Sequence, residues 1–414
     1  MRRSLVVLIL WLIVGVVVLV TPQAWGQMWE MNRWSVRAAH AILDCCPGSQ
    51  TYLPVSPFDH PREAVWRGIF ALRQDDTAEA VALLSARLAA HPEDRAAHTV
   101  LGEAFDRQGQ IALAVAEWRQ AGNWSQILRV AQRAYSDHRL DDALIAYRAA
   151  YELVPLRATL GLSHTLWGKR DLKNAEVLLR QSLAAAPDYE DSRLWRVTLA
   201  EVLMADGRWS DAVATYREAL TREPCNASLH FGLGKALYHV EGLVAAITEV
   251  DKGIGLAPDD ADGYEVMADL LFAEKRYAEA DPLYLEAIAR SPDNWSLLVK
   301  RARNLTAAGD KVGGIACYEE VIDRFSGKMS PDEMASVYRA LAHAYWSLGV
   351  GPRAVAAIEK SLSLKATDPL TWTTAGAIYE WVKEPDRALR AYRQALAIDP
   401  TNRDAQQGLQ RLTP

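Results

Sequence analysis

The chain has 414 residues, half of them apolar and 24% charged, with 46 Lys plus Arg against 52 Asp plus Glu and a net charge of −6. That length exceeds one ordinary compact domain unless the chain is a repeat array. Residues 1–60 hold four basic and three acidic residues, leaving 42 against 49 for the rest, so no basic face suited to a phosphate backbone is signalled and no nucleic-acid partner is expected. Four cysteines exclude a disulfide-dense scaffold.

Met1-Arg2-Arg3-Ser4 precede an unbroken apolar run from Leu5 to Val20. At helical rise such a run spans roughly 24 Å, slightly short of a hydrocarbon core of ~30 Å. Thr21 and Pro22 end it, and Trp25, Trp29 and Trp34 follow where interfacial aromatics sit. Residues 1–26 therefore read as an uncleaved signal anchor, a transmembrane segment meeting the membrane through residues 5–20. The same stretch also fits a secretory signal peptide, with Ala24-Trp25-Gly26 as the cleavage site before Gln27; the tryptophans favour retention. Arg2 and Arg3 flank the run directly, which places the N-terminus inside and the bulk of the chain outside. The expected location is the cell membrane, single-pass and largely extracytoplasmic, or periplasmic and secreted after cleavage.

Residues 27–60 are expected to form an amphipathic helix and a proline-rich linker. Met31, Trp34, Ala38, Ala41 and Cys45 fall on one helical stripe, with Arg33, Arg37, His40 and Asp44 largely opposite. Pro47, Pro54, Pro57 and Pro61 then preclude continuous helix.

Over 61–400 the chain repeats itself. The clearest copy is the last: Trp372, Gly376, Tyr379, Ala388, Tyr392, Ala395 and Pro400. Its second half recurs as Ala212, Tyr216, Ala219 and Pro224, as Ala280, Tyr284, Ala287 and Pro292, and as Ala143, Tyr147, Ala150 and Pro155. Pro224, Pro258 and Pro292 follow one another at intervals of 34. These residues and spacings resemble those of tetratricopeptide-repeat proteins. The resemblance implies an all-α, right-handed superhelical solenoid of about ten helix hairpins, preceded by the N-terminal transmembrane helix. By this template the copies begin near residues 61, 95, 124, 156, 193, 227, 261, 295, 335 and 369. Those at 61, 156 and 295 are degenerate, with Arg87, Leu179 and Gly314 at positions expected to be small or aromatic. Small residues such as Gly234, Ala268 and Gly376 on helix A are expected to face Ala246, Ala280 and Ala388 on helix B. Residues 401–414, with polar Gln406, Gln407 and Gln410, read as a C-terminal capping helix.

No catalytic constellation stands out: there is no Gly-rich phosphate loop, no G-x-S-x-G elbow and no H-E-x-x-H helix. His91, His98, His230 and His239 lack metal-ligand spacing. Cys45-Cys46 is the one unusual thiol feature, and Cys225 and Cys317 have no motif around them. The protein is expected to be no enzyme, with no cofactor and no metal. Its Ala- and Arg-rich composition reads as bacterial.

In the family resembled, positions 2, 5, 9 and 12 of helix A point into a concave groove that contacts peptides. That frame implies a binding role at position 12 for Tyr135, Trp167, Tyr238, Phe272 and Trp346, with Trp381 one residue further on. Simple packing explains an aromatic there equally well, less so for Trp167 and Trp346. The copy at 261 presents Asp262, Glu265 and Asp269, and the next presents Lys300 and Arg303. The Lys/Asn arrangement by which some family members clamp a chaperone's C-terminal carboxylate is not recognisable. Lys300 with Arg303 can pair a partner's carboxylate, or can pair Asp269 and its neighbours in the adjacent repeat; the second is favoured. The expected function is a membrane-anchored scaffold that binds a protein or peptide partner in the groove during assembly of a bacterial envelope complex. The alternatives are an accessory subunit of an envelope polymer-synthesising enzyme, and a secreted protein binding peptide or glycan.

Overall fold

The computed structural model describes residues 63–413. The expected anchor over 5–20, the amphipathic helix and linker of 27–60, and Cys45-Cys46 lie outside the described residues. Among the described residues no helix is long and apolar enough to cross a membrane.

Twenty-one helices and no strand occur among the described residues. The first twenty form ten hairpins, each a helix A followed by a helix B. The first four hairpins are α1 (Glu63–Arg73) with α2 (Thr77–Ala90), α3 (Arg95–Arg107) with α4 (Ile111–Ala121), α5 (Trp124–Ser136) with α6 (Leu140–Leu153), and α7 (Pro155–Gly168) with α8 (Leu172–Ala185). Next come α9 (Ser192–Ala205) with α10 (Trp209–Arg222), α11 (Ala227–Val240) with α12 (Leu243–Leu256), and α13 (Ala261–Ala273) with α14 (Tyr277–Arg290). The last three are α15 (Trp295–Ala308) with α16 (Lys311–Phe325), α17 (Pro331–Leu348) with α18 (Gly351–Leu364), and α19 (Pro369–Trp381) with α20 (Pro385–Ile398). A single helix, α21 (Arg403–Leu412), follows.

A short chemical formula starts many of these helices. Pro92-Glu93-Asp94, Pro224-Cys225-Asn226, Pro258-Asp259-Asp260, Pro292-Asp293-Asn294 and Pro400-Thr401-Asn402 each lie between a helix B and the next helix A. The proline cannot continue the preceding helix, and the Asp or Asn two residues later accepts from exposed N–H groups at the new N-terminus. Pro155 departs from the expected pattern. It opens α7 at its first turn, directly after Val154, because a missing N–H costs nothing there. Residues 331–334, just ahead of the copy that the template begins at 335, also become helix: Ser330 and Glu333 form a reciprocal capping box that starts α17 at Pro331.

The fourth residue of helix A repeatedly staples the hairpin to the chain before it. His98, His230, Tyr264, Trp372 and Gln406 each reach the carbonyl six residues earlier, at 2.7–3.2 Å. At His98 the partner of Nε2 is the Pro92 carbonyl, which only accepts, and Nδ1 lies 2.6 Å from the Glu117 carboxylate. Both ring nitrogens thus face oxygen acceptors, an arrangement that favours the imidazolium, which donates from both. Burial alone lowers the His98 pKa, but the Glu117 hydrogen bond, the Pro92 carbonyl and the charges of Glu117 and Asp94 outweigh it and raise the net value. Arg87 in turn holds Asp94. A native value raised above the unfolded ~6.5 stabilises the fold at lower pH, and that contribution is lost as pH rises through the native value. The stability difference between wild type and His98→Gln in urea is therefore expected at pH 6 and should narrow at alkaline pH. A difference independent of pH would rule out the imidazolium.

Each A-to-B turn passes through the left-handed region. Its ten residues have φ between 58° and 98°, five of them glycines such as Gly207 and five not, namely Asp75, His138, Arg170, Lys275 and Lys383. The hairpin geometry thus demands the conformation whether or not glycine supplies it.

Inside the hairpins, small residues make room for large ones. Gly234 does face Ala246, whose carbonyl lies 3.1 Å from where a Cβ would sit. Gly376 differs from expectation: the space beside it is filled by the Tyr392 ring, and Gly408 of α21 accommodates the same ring. The degenerate copies still fold as hairpins. Arg87 binds Asp94 at 3.0 Å, Leu179 is fully buried, and Gly314 leaves no room for a side chain beside Thr306. The buried apolar residues form an N-terminal cluster from Val65 to Ala104 and two large ones, from Ile111 to Leu237 and from Leu298 to Ala405. Between them lie two small patches, around Phe231 and Val250 and around Ala268 and Tyr284.

Candidate binding groove

Helix-A side chains of successive hairpins converge on a groove with a cavity of about 600 Å3. Trp167 of α7, Met204 of α9 and Trp209 of α10 supply apolar wall. Trp209 is held in place by stacking on His239, with ring centroids 3.8 Å apart. Six charged residues lie along the same groove: Glu201 of α9, Lys235 of α11, Asp262, Glu265 and Asp269 of α13, and Lys300 of α15.

These charges fall into two groups. Lys300 pairs with both Glu265 and Asp269, and Asp269 also accepts from the Tyr284 hydroxyl at 2.7 Å. Burial disfavours the charged lysine, but the two carboxylates outweigh it and raise the Lys300 pKa. The second group is Glu201, Lys235 and Asp262, whose side chains have no hydrogen-bond or ion-pair partner among the described residues. Burial raises the Glu201 carboxyl, with Lys235 opposing in part. Burial, followed by the charges of Asp260 and Glu265, raises Asp262. Among the described residues no group of three or more His, Cys, Asp or Glu can hold a metal ion.

The tetratricopeptide repeat family model matches residues 67–126 and 197–261. The chain carries tetratricopeptide repeats. It is 24% identical over 213 residues to the Hsp70-Hsp90 organizing protein 1 of Glycine max, covering 51% of this chain and 29% of that one. It is 28% identical over 114 residues to an Hsp70-Hsp90 organising protein of Plasmodium falciparum, covering 27% of this chain and 45% of that one. The chain thus spans less than half the length of these curated relatives. The crystal structure of yeast Tom70 has the same fold, with a TM-score of 0.52 and 13% identity over 85% of this chain and 88% of that one.

In the tetratricopeptide frame, the groove brings together two of the expected residues, Trp167 and Lys300, and Lys300 is engaged by its neighbours in the adjacent repeat. The other six are spread along the array. Tyr135 is 37% exposed on α5, and Trp381 is 40% exposed at the end of α19. Tyr238 donates to Glu274 at 2.8 Å. Phe272 is half-buried beside Tyr277, with the Arg303 guanidinium 5.7 Å from its ring centre. Trp346 packs on the C-terminal cluster with His343 at its edge. Glu201, Lys235 and Trp209 were not anticipated. Glu201, Lys235, Asp269 and Arg303 nevertheless alternate in sign at intervals of 34, one per helix A, a signal present in the numbering. Asn304, in an N-x-T sequon, is fully buried and donates to the Tyr277 carbonyl.

Proposed function

We propose that the protein is a non-catalytic, membrane-anchored scaffold that holds a segment of a partner protein along its helix-A groove during assembly of a bacterial envelope complex. The observation that carries this reading is the groove itself. Successive repeats contribute to it half-buried tryptophans and, at Glu201, Lys235 and Asp262, charges without a hydrogen-bond or ion-pair partner among the described residues. A concave site with apolar walls and a few polar groups is the usual form of a recognition surface. The curated relatives are named as organisers of other proteins, which supports a protein partner. The apolar run of residues 5–20 supports the anchor, and scaffolding by an anchored array raises the local concentration of whatever it holds.

The test is affinity capture of the full-length protein from cross-linked native membranes, read by mass spectrometry, beside a Trp167→Ala, Trp209→Ala variant. A stoichiometric envelope partner that the variant captures at least about tenfold less well is expected, as for loss of two hot-spot aromatics. Equal capture by both forms would remove the groove from the function. A mature chain beginning at Gln27, in place of an intact Met1 in washed membranes, would replace the anchor with a secreted form.

A further inference from the structure

The groove's charge is not symmetrical, and this deepens the proposed function, on which it rests. Lys300 already neutralises Glu265 and Asp269 from within the array. What remains open to a ligand is Glu201 and Asp262 with Lys235 between them, two carboxyl groups against one ammonium. Lys235 is exposed, while Glu201 is half-buried in the lining that also holds Trp167 and Trp209. An incoming carboxylate would find one exposed lysine whose charge already faces two acids. An incoming cation would find two acids that share a single ammonium and have no hydrogen-bond or ion-pair partner among the described residues, one of them half-buried.

We propose that the groove selects a peptide segment bearing a lysine or arginine, whose cationic head enters between Glu201 and Asp262 while apolar neighbours lie against Trp167 and Trp209. The long apolar stem of such a residue suits this arrangement, since it passes the indole faces before its head reaches the acids. Adjacent helices stand about 8–10 Å apart and an extended chain rises about 3.4 Å per residue, so roughly three peptide residues separate one helix-A contact from the next. A cation held between Glu201 of α9 and Asp262 of α13 can then be followed in one pass by a spacer along α9 and an apolar residue at Trp167 of α7. Discrimination is a difference of affinities, and here the rejecting element is the acid pair.

The test is fluorescence anisotropy of the full-length protein in detergent with three labelled nonapeptide pools. Their flanking positions are degenerate in Leu, Val, Phe, Ala and Gly, and their central residue is Lys, norleucine or Glu. The Lys pool is expected to bind about tenfold tighter than the Glu pool at low salt, with the margin shrinking as salt screens the exposed part of the interaction. Glu201→Gln with Asp262→Asn should reduce that margin to about twofold or less, whereas Lys235→Gln should widen it. The second variant moves the readout in the opposite direction, so loss of fold cannot imitate both results. Equal or tighter binding of the Glu pool overturns the charge preference and leaves the groove standing. Failure of every pool to bind, or binding that survives Trp167→Ala with Trp209→Ala, overturns the groove reading as well.

Discussion

Replacing Trp195 by alanine is expected to destabilise the array by about 3–5 kcal/mol, the range for a large aromatic lost from a packed interior. Trp195 is fully buried in α9 and stacks on Tyr189, with ring centroids 5.2 Å apart and planes 18° from parallel. It sits in the cluster that runs from Ile111 to Leu237, so its loss removes contacts on both sides of its own repeat. Its indole N–H is buried with no hydrogen-bond partner among the described residues. An orphan donor costs about 1–3 kcal/mol, comparable to the area lost on trimming indole to phenyl. Trp195→Phe is therefore expected to fall close to wild type while Trp195→Ala falls far below it. Urea unfolding followed by circular dichroism measures both, and equal destabilisation by the two changes would disprove the account.

A methyl group added at Gly161 is expected to be the next most damaging small change. Its Cβ would lie 2.2 Å from Cε1 and 2.3 Å from Cζ of Tyr147, a buried ring carried by the preceding helix. Alanine is intrinsically better than glycine inside a helix by about 1 kcal/mol. Overpacking a closed site costs about 1–3 kcal/mol, so the clash prevails and Gly161→Ala should be net destabilising. Shrinking the ring should restore the balance: Gly161→Ala with Tyr147→Leu is expected to be less destabilised than the sum of the two single changes. Gly207 is the control. It has φ of 75° and nothing within 4 Å of its would-be Cβ, so Gly207→Ala carries only the left-handed backbone penalty, about 1–2 kcal/mol. No neighbouring substitution should relieve that loss. Additive behaviour at Gly161 and Tyr147 would show that the ring moves aside freely.

The hairpin count and the start of most helices were legible because they rest on local chemistry. Prolines and Asp or Asn caps act within two or three residues, and the ring-and-glycine pairs recur with the repeat. Pro155 was harder, since a proline is equally at home after one helix and in the first turn of the next, and only the absent loop after Val154 decides. The capping box at Ser330 and Glu333 is equally local, but it lies ahead of the copy that the repeat template begins at 335. The groove was read less well for a different reason. Position 12 was chosen for its aromatics, and in most repeats those rings are occupied by their own neighbours: Glu274 for Tyr238, His343 for Trp346. The alternating row through Glu201 and Lys235 is visible only when successive helices A are laid side by side, and no single repeat contains it. Trp209 opens a helix B, outside the helix-A positions of the family frame, and lines the groove while stacked on His239.

Between Leu237 and Leu298 the buried apolar residues divide into the two smaller patches around Val250 and around Tyr284. In an array whose stability is a chain of nearest-neighbour terms, a boundary between clusters is where an opening fluctuation is expected to start. The two flanking blocks can then exchange amide hydrogens at different rates. The groove bridges this seam, since its residues run from Trp167 on one side to Lys300 on the other. A segment bound there acts as a splint across the joint, and part of its affinity appears as slower opening of repeats it never touches.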